Sequence, residues 1–463
     1  MSALTLPAGS IRPAHVRALA WPVLVSMVSM SAMAVADTLF TGWLGTSQLA
    51  GVGLATTLSF FVITPGRGIL RGVKILTAQC TGAEDHLDAR RLLVQVVWLA
   101  LPIGAALMLL APAGEWLFWI LGASAEVGVH ARDYFVVRVL FAPVALLVWG
   151  VEGWFQGRGD TRTPMVASVL SNALNVALDP LLIFGLGVVP ALGVAGAAWA
   201  TVASQGVGLV FLLWRASRHL GVGLGPDWPL LRRTFALGVP LAVQWTLDFG
   251  GFIVFLSLLA QSGDAELAAH VLVFRIVMIS MLPGFSLADA TGVLVGQAVG
   301  ARRGDAVRQA WWAGTWQALL LMGAFGILFL IVPTWLLWPF SPESEVAEIA
   351  IVLLWIAAMW QLTDAVVMVN ITSLTSAGDT RFTLLMSVGA SWFVQVPLSI
   401  LLVWGLEMGA VGAWLALTVE ITVVAVVSFL RVRGRGWLES KFAADASAEV
   451  VHPPVEAVAI PAK

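Results

Sequence analysis

The chain has 463 residues, of which 59% are hydrophobic and 11% charged, and a net charge of −2. No soluble domain of this length can bury that much apolar side chain, so the bilayer is its solvent. The single cysteine, Cys80, excludes an intramolecular disulfide and a cysteine metal site, and the six histidines lack ligand spacing.

The apolar runs reach roughly 20 residues or more, which predicts spanning helices and not the short alternating strands of a barrel. The first half carries spans near 18–43, 52–79, 92–113, 127–155, 164–186 and 192–214. The second carries spans near 233–262, 268–299, 309–332, 346–374, 382–406 and 409–432. The expected fold is an all-α membrane protein of twelve transmembrane helices in two pseudo-symmetric six-helix lobes. Its predicted parts are a cytoplasmic N-terminus 1–17, a lobe 18–214, a cytoplasmic linker 215–232, a second lobe 233–432 and a tail 433–463. The tail's Ala, Val, Glu and Pro content predicts disorder. The first apolar run is too long for a signal peptide.

The lobes repeat one another. At an offset of 218, Pro22 falls on Pro240, Pro65-Gly66 on Pro283-Gly284, and Gln79-x-x-Gly82-Ala83 on Gln297-x-x-Gly300-Ala301. At 219, Gly159-Asp160-Thr161-Arg162 falls on Gly378-Asp379-Thr380-Arg381. Lysine and arginine occupy every second loop, as in Arg90, Arg91, Arg158, Arg162, Arg232, Arg233, Arg302, Arg303 and Arg381. Arg12, Arg17, Arg431, Arg435 and Lys441 place both termini on that side. The alternate loops hold no Lys or Arg but carry Glu115, Asp264, Glu343 and Glu345. The basic side is predicted to be cytoplasmic. Six spans per half make the repeat parallel, its axis along the membrane normal. Trp116, Trp119, Trp335 and Trp338 at outer span ends, and Trp214 and Trp437 at inner ones, read as interface anchors.

Ionisable residues inside spans are costly, about 2.5–3.5 kcal/mol each on insertion scales, and are functional candidates by default. Asp37 in span 1, Asp248 in span 7 and Asp364 in span 10 stand out. The repeat partner of Asp37 is Phe255 and that of Asp248 is Met30, so each half has its own acid. Asn175 and Asp179 share a face of span 5, and Thr201 lies at similar depth on span 6. Such oxygens suit a hard cation such as Na⁺ or a shared proton; Asp37, Asp179, Asp248 and Asp364 are the candidate Na⁺ ligands. Arg67, Arg71 and Lys74 form one stripe on span 2, with Lys74 near enough to the cytoplasmic end to snorkel. Symmetry sets Asp289 of span 8 opposite Arg71. Two readings stay open for this group: a charged cavity or cross-lobe gate, or an internally neutralised network. Arg138, Glu152 and Arg275 lie nearer span ends and read as structural. Pro22 and Pro240 are expected to kink spans 1 and 7 at matching places.

The run Trp21-Pro22 to Asp37-Thr38-x-Phe40-x-Gly42-x-Leu44-Gly45-x-x-x-Leu49-Ala50 resembles the opening of the multidrug and toxic compound extrusion (MATE) transporters. Gly159-Asp160-Thr161-Arg162-Thr163-Pro164, Asn175-x-x-x-Asp179-Pro180, Gly193-Val194-Ala195-Gly196-Ala197-Ala198 and Leu294-Val295-Gly296-Gln297-x-x-Gly300-Ala301 continue it over about residues 15–432. The resemblance implies cation-driven export by alternating access of two lobes. It places Asp37 at the family's span-1 acid, with Asn175, Asp179 and Thr201 around it. It places Asp248 and Asp364 at the acids of the NorM-like branch. Arg67, Arg71, Lys74 and Asp289 depart from the small and apolar residues expected there.

The reading is an H⁺- and/or Na⁺-coupled antiporter in the cytoplasmic membrane, without a cofactor, exporting small organic molecules. Its expected partners are a small-molecule substrate and membrane lipid, with no nucleic acid, and it is expected to act as a monomer. The alternative cargo is an anionic organic or lipid-linked molecule held by the basic stripe. An enzyme is disfavoured, because no nucleophile–base pair or metal cluster has recognisable spacing, and a channel because the acids form no ring.

Overall fold

The structure, a computed structural model, describes residues 6–434 apart from Ala8, Leu121, Val188, Leu220 and Val222, together with Leu438. Arg435, Trp437, Lys441 and nearly all of the expected disordered tail lie outside the described residues, as does the side chain of Glu115.

The first half folds into α1 (Pro13–Gly42), α2 (Thr46–Gly82), α3 (His86–Met108), a short α4 (Gly114–Ile120), α5 (Ala125–Leu140), α6 (Ala142–Gly157), α7 (Arg162–Phe184) and α8 (Val194–Ser217). The second half folds into α9 (Trp228–Ser262), α10 (Asp264–Gly300), α11 (Gly304–Ile331), a short α12 (Pro333–Leu337), α13 (Ser344–Ala377), α14 (Thr380–Ala390), α15 (Val396–Ile400) and α16 (Gly409–Arg433). Among the described residues eleven helices are long and apolar enough to cross a membrane, and the bent pair α5–α6 makes the twelfth span. The α14–α15 span contains two π-helical stretches, Ser391–Gln395 and Leu401–Gly405.

Pro22 and Pro240 are buried, and each lies within one continuous helix, α1 and α9. A break of 51° falls between α5 and α6. Pro143 stands in the first turn of α6 there; it has no N–H to give and its ring crowds the preceding turn, so the helix restarts after Phe141.

The internal repeat is visible in three dimensions. α2 and α10 each have 37 residues. At 1.5 Å per residue each is about 55 Å long, well beyond the ~30 Å hydrocarbon core, so their ends reach into the aqueous layers. Both start from glycines with nearly the same backbone, Gly45 at φ 138° and Gly263 at φ 139°, a region closed to side chains with a Cβ. Across the lobe boundary α2 packs on α9, and α1 on α10. Small residues make this approach possible: Gly68 lies against Ala242, Gly72 against Thr234, and Gly238 against the backbone of Ile69.

Within the N-terminal lobe, α1 packs on α7 and α7 on α8. On α7 the buried apolar residues of the inner and outer cores are Ala167 and Ile183. The buried polar Asn175 and Asp179 stand between them. Trp116, Trp119, Trp214, Trp335 and Trp338 are all exposed, as interface anchors should be.

Candidate functional site

Packing of α1, α7 and α8 brings the four expected N-lobe residues together. Asn175 and Asp179 are fully buried and Thr201 is 5% exposed. Asn175 bridges two helices: in the orientation that satisfies both ends of its amide, Nδ2 donates to Asp37 Oδ1 at 2.8 Å and its oxygen accepts from the Thr201 N–H at 3.2 Å. One turn inward, Asn172 Nδ2 donates to Ser29 Oγ at 2.9 Å, fixing the register of α7 on α1. Asp179 turns its carboxyl toward that of Asp37, within hydrogen-bonding reach. Neither oxygen of Asp179 receives an N–H or O–H from any described residue. A buried carboxyl without a donor, facing a second, half-buried one, is costly to leave ionised unless a positive charge joins them.

Arg138, read from sequence as structural, borders this pair. It donates to Gln205 Oε1 at 3.4 Å, and its charge acts on Asp37.

The C-lobe acids are arranged differently. Asp364 on α13 is 8% exposed, and Asp248 on α9 is half-buried. Among the described residues no hydrogen bond or ion pair joins them. Both instead act on the charge of Glu420, carried by α16. Glu420 escaped the sequence reading although it stands near the middle of the expected span 12, a position as telling as that of Asp364 in span 10. No three His, Cys, Asp or Glu side chains among the described residues are close enough to hold a metal ion jointly. Ligation of Na⁺ at either acidic centre would therefore need amide, hydroxyl or backbone oxygens besides the carboxylates.

The basic stripe of α2 crosses to the other lobe. Lys74 does not snorkel: its Nζ lies 2.5 Å from Asp289 Oδ1 on α10 and donates to Gln156 Oε1 at 2.9 Å. Arg71, the symmetry partner of Asp289, is farther, at 4.0 Å. Lysine at this position is one turn closer to where α2 and α10 converge, which is why it takes the carboxylate. Glu152 adds a second negative charge acting on Arg67 and Lys74. Arg67 lies over the Trp149 ring, 5.1 Å from its centroid, and has no ion pair among the described residues. It is exposed, and the charges of Glu152 on α6 and Asp289 on α10 act on it.

Just inward of this pair the two lobes close on each other by a reciprocal contact. Gln79 Nε2 donates to the carbonyl of Ser376 at 2.9 Å, and Gln297 Nε2 donates to the carbonyl of Gly157 at 3.1 Å. Each glutamine thus reaches the repeat-equivalent residue of the opposite lobe. A Cβ on Gly82 would overlap the carbonyl oxygen of Gln297, and one on Gly300 that of Gln79. The repeated Gln-x-x-Gly is therefore the seam between the lobes at the end where α1 begins and α16 ends. Farther out, α2 and α9 border a cavity of about 200 Å³ lined by Phe60, Phe61, Thr64, Pro65, Trp245, Asp248 and further aromatics.

Comparison with known proteins gives the same architecture. The MatE family profile matches the chain twice, over residues 22–181 and 240–401, one match in each lobe. The probable multidrug resistance protein NorM of Deinococcus radiodurans is 31% identical over 438 residues, covering 91% of this chain and 96% of that protein. The probable multidrug resistance protein NorM of Brucella suis is 29% identical over 434 residues, covering 90% and 91%. Among solved structures, MATE in the bent conformation superposes with a TM-score of 0.86 at 23% identity, over 94% of this chain and 98% of that one. A MOP superfamily transporter from Pyrococcus furiosus, described as having a binding pocket of reverse polarity, superposes with a TM-score of 0.85 at 23% identity, over 93% and 96%. A twice-matched family profile, relatives aligned over nine-tenths of the chain and a twelve-helix, two-lobe fold agree: this multi-pass membrane protein belongs to the MatE family of multidrug efflux transporters.

Proposed function

We propose that the protein is an antiporter that exports small organic molecules from the cytoplasm in exchange for H⁺ or Na⁺. It resides in the cytoplasmic membrane with both termini inside, the side that carries the basic loops. The observation that carries this reading is Asp179, fully buried, facing Asp37 and receiving no donor. A cation between the two carboxyls removes the desolvation penalty of one orientation of the lobes, and substrate favours the other. That difference in affinity is what coupling requires. In this cycle the Lys74–Asp289 contact and the glutamine seam hold the inner side closed, and both must part for cargo to enter from the cytoplasm. The test is efflux of ethidium or norfloxacin from reconstituted vesicles under separate proton and sodium gradients, with Asp37→Asn and Asp179→Asn. Loss of the gradient's effect in both variants supports the reading; full coupling in either removes that residue from it.

A second cargo class has its own support. Arg67 is exposed without an ion partner among the described residues, which suits a carboxylate or phosphate on the cargo. Inhibition of uptake by anionic probes, absent in Arg67→Gln, supports it; equal inhibition in both proteins rejects it.

A further inference from the structure

Glu420 enters through the register of α16 against α13. The two helices pack side by side and run in the same direction. Two contacts tie them. Toward the outer side the rings of Trp360 and Trp414 meet at 5.7 Å between centroids, and toward the inner side Asn370 Nδ2 donates to Ser428 Oγ at 3.0 Å. Asp364 lies between Trp360 and Asn370, and the position of α16 level with it falls midway between Trp414 and Ser428, where Glu420 stands. The charge of Asp248 on α9 reaches the same carboxylate.

The surroundings need a positive charge. Asp364 is more than nine-tenths buried and takes part in no hydrogen bond or ion pair among the described residues. Asp248 Oδ1 and, one turn outward of Asp364, Gln361 Oε1 are buried without a donor. Among the described residues no lysine or arginine acts on Asp248, Asp364 or Glu420, whereas Arg138 acts on Asp37 in the N lobe. His270 of α10 is turned away, accepting from Trp414 Nε1 at 3.1 Å. Three carboxylates in a lobe interior, without a basic partner, are stable only when a cation joins them.

We propose that Glu420 is a cation-binding residue of the C-terminal lobe, sharing a monovalent cation, Na⁺ or H⁺, with Asp364 and Asp248. This rests on the antiport reading above and adds a ligand to it. Among the described residues the three carboxylates do not surround one point, so amide or backbone oxygens complete the set around any one ion.

The test uses the full chain in lipid nanodiscs. Radiosodium binding is measured in Asp37→Asn, which isolates the C lobe, with and without Glu420→Gln. Infrared difference spectra in sodium-free buffer report protonated carboxyls in the same proteins. The expected result is a loss of Na⁺ affinity of at least about tenfold in Glu420→Gln, or loss of a carboxyl band if the ion is H⁺. Glu420→Asp, which keeps the charge, should fall between. Unchanged sodium binding and an unchanged infrared spectrum in folded Glu420→Gln would overturn the assignment while leaving Asp37 coupling intact. A wild-type protein that binds no sodium and has no such band would remove the antiport reading and this inference together.

Discussion

Lys74 Nζ and Asp289 Oδ1 are 2.5 Å apart across the boundary between the lobes, with the side chains 12% and 17% exposed. Breaking such a pair on one side leaves a charge stranded in a poorly solvated place, at a cost of about 3–5 kcal/mol. Asp289→Asn should therefore shift the lobes toward inner opening by roughly a hundredfold to a few thousandfold. Lys74→Gln should do the same, and exchanging the two charges should restore part of the closed population. Spin-label distances between cysteines placed at Glu84 and Asp305, in a Cys80→Ser background, read this directly: a lengthened distribution is expected in each single variant. An unaltered distribution would show that the pair does not hold the inner end.

The seam inward of that pair is symmetric, and its response to mutation should be too. Gln79→Ala and Gln297→Ala each remove one hydrogen bond to a backbone carbonyl, worth about 1 kcal/mol. The same label pair should report similar shifts for the two, close to additive in the double variant. Gly300→Ala places a methyl into the carbonyl of Gln79, so it should block inner closure altogether and abolish efflux in a protein that still folds.

Asp179 makes a prediction about stability. It is fully buried and faces a like charge. In sodium-free buffer at neutral pH, Asp179→Asn should unfold at a higher temperature than wild type. Ligand binding stabilises the protein that binds, so the coupling cation should raise the wild-type melting temperature by more than that of the variant, which keeps only the C-lobe acids. Thermal melts across a sodium series and a pH series distinguish the two ions.

Arg67 predicts cargo selectivity. Arg67→Gln removes the exposed cation of the α2 stripe while Lys74 stays paired with Asp289. Transport of anionic and zwitterionic probes should fall about tenfold or more, with ethidium transport unchanged or faster. Parallel loss for every probe would instead assign Arg67 to positioning Trp149.

Much of this was readable along the chain. Hydrophobic run length decides that helices span the bilayer, because only helices and closed barrels satisfy their backbone groups there and barrel strands are short and alternating. Twofold repetition decides two lobes, and burial cost picks out Asp37, Asp248 and Asp364. The i, i+4 spacing of Asn175 and Asp179 already put them on one face. Three things needed the tertiary structure. Which cation meets Asp289 depends on how α2 and α10 come together, in close contacts such as Gly82 with Gln297 more than two hundred residues apart: Lys74 takes the place that symmetry assigns to Arg71. The break at Phe141 needed the structure as well: Pro143 falls where one helix ends and the next begins, whereas Pro22 and Pro240 lie within continuous helices. Glu420 gains its meaning from a register between α13 and α16 that no local pattern encodes. Composition and periodicity are properties of one segment and its solvent, whereas the meeting of charges is a property of pairs of helices, fixed only when side chains interlock.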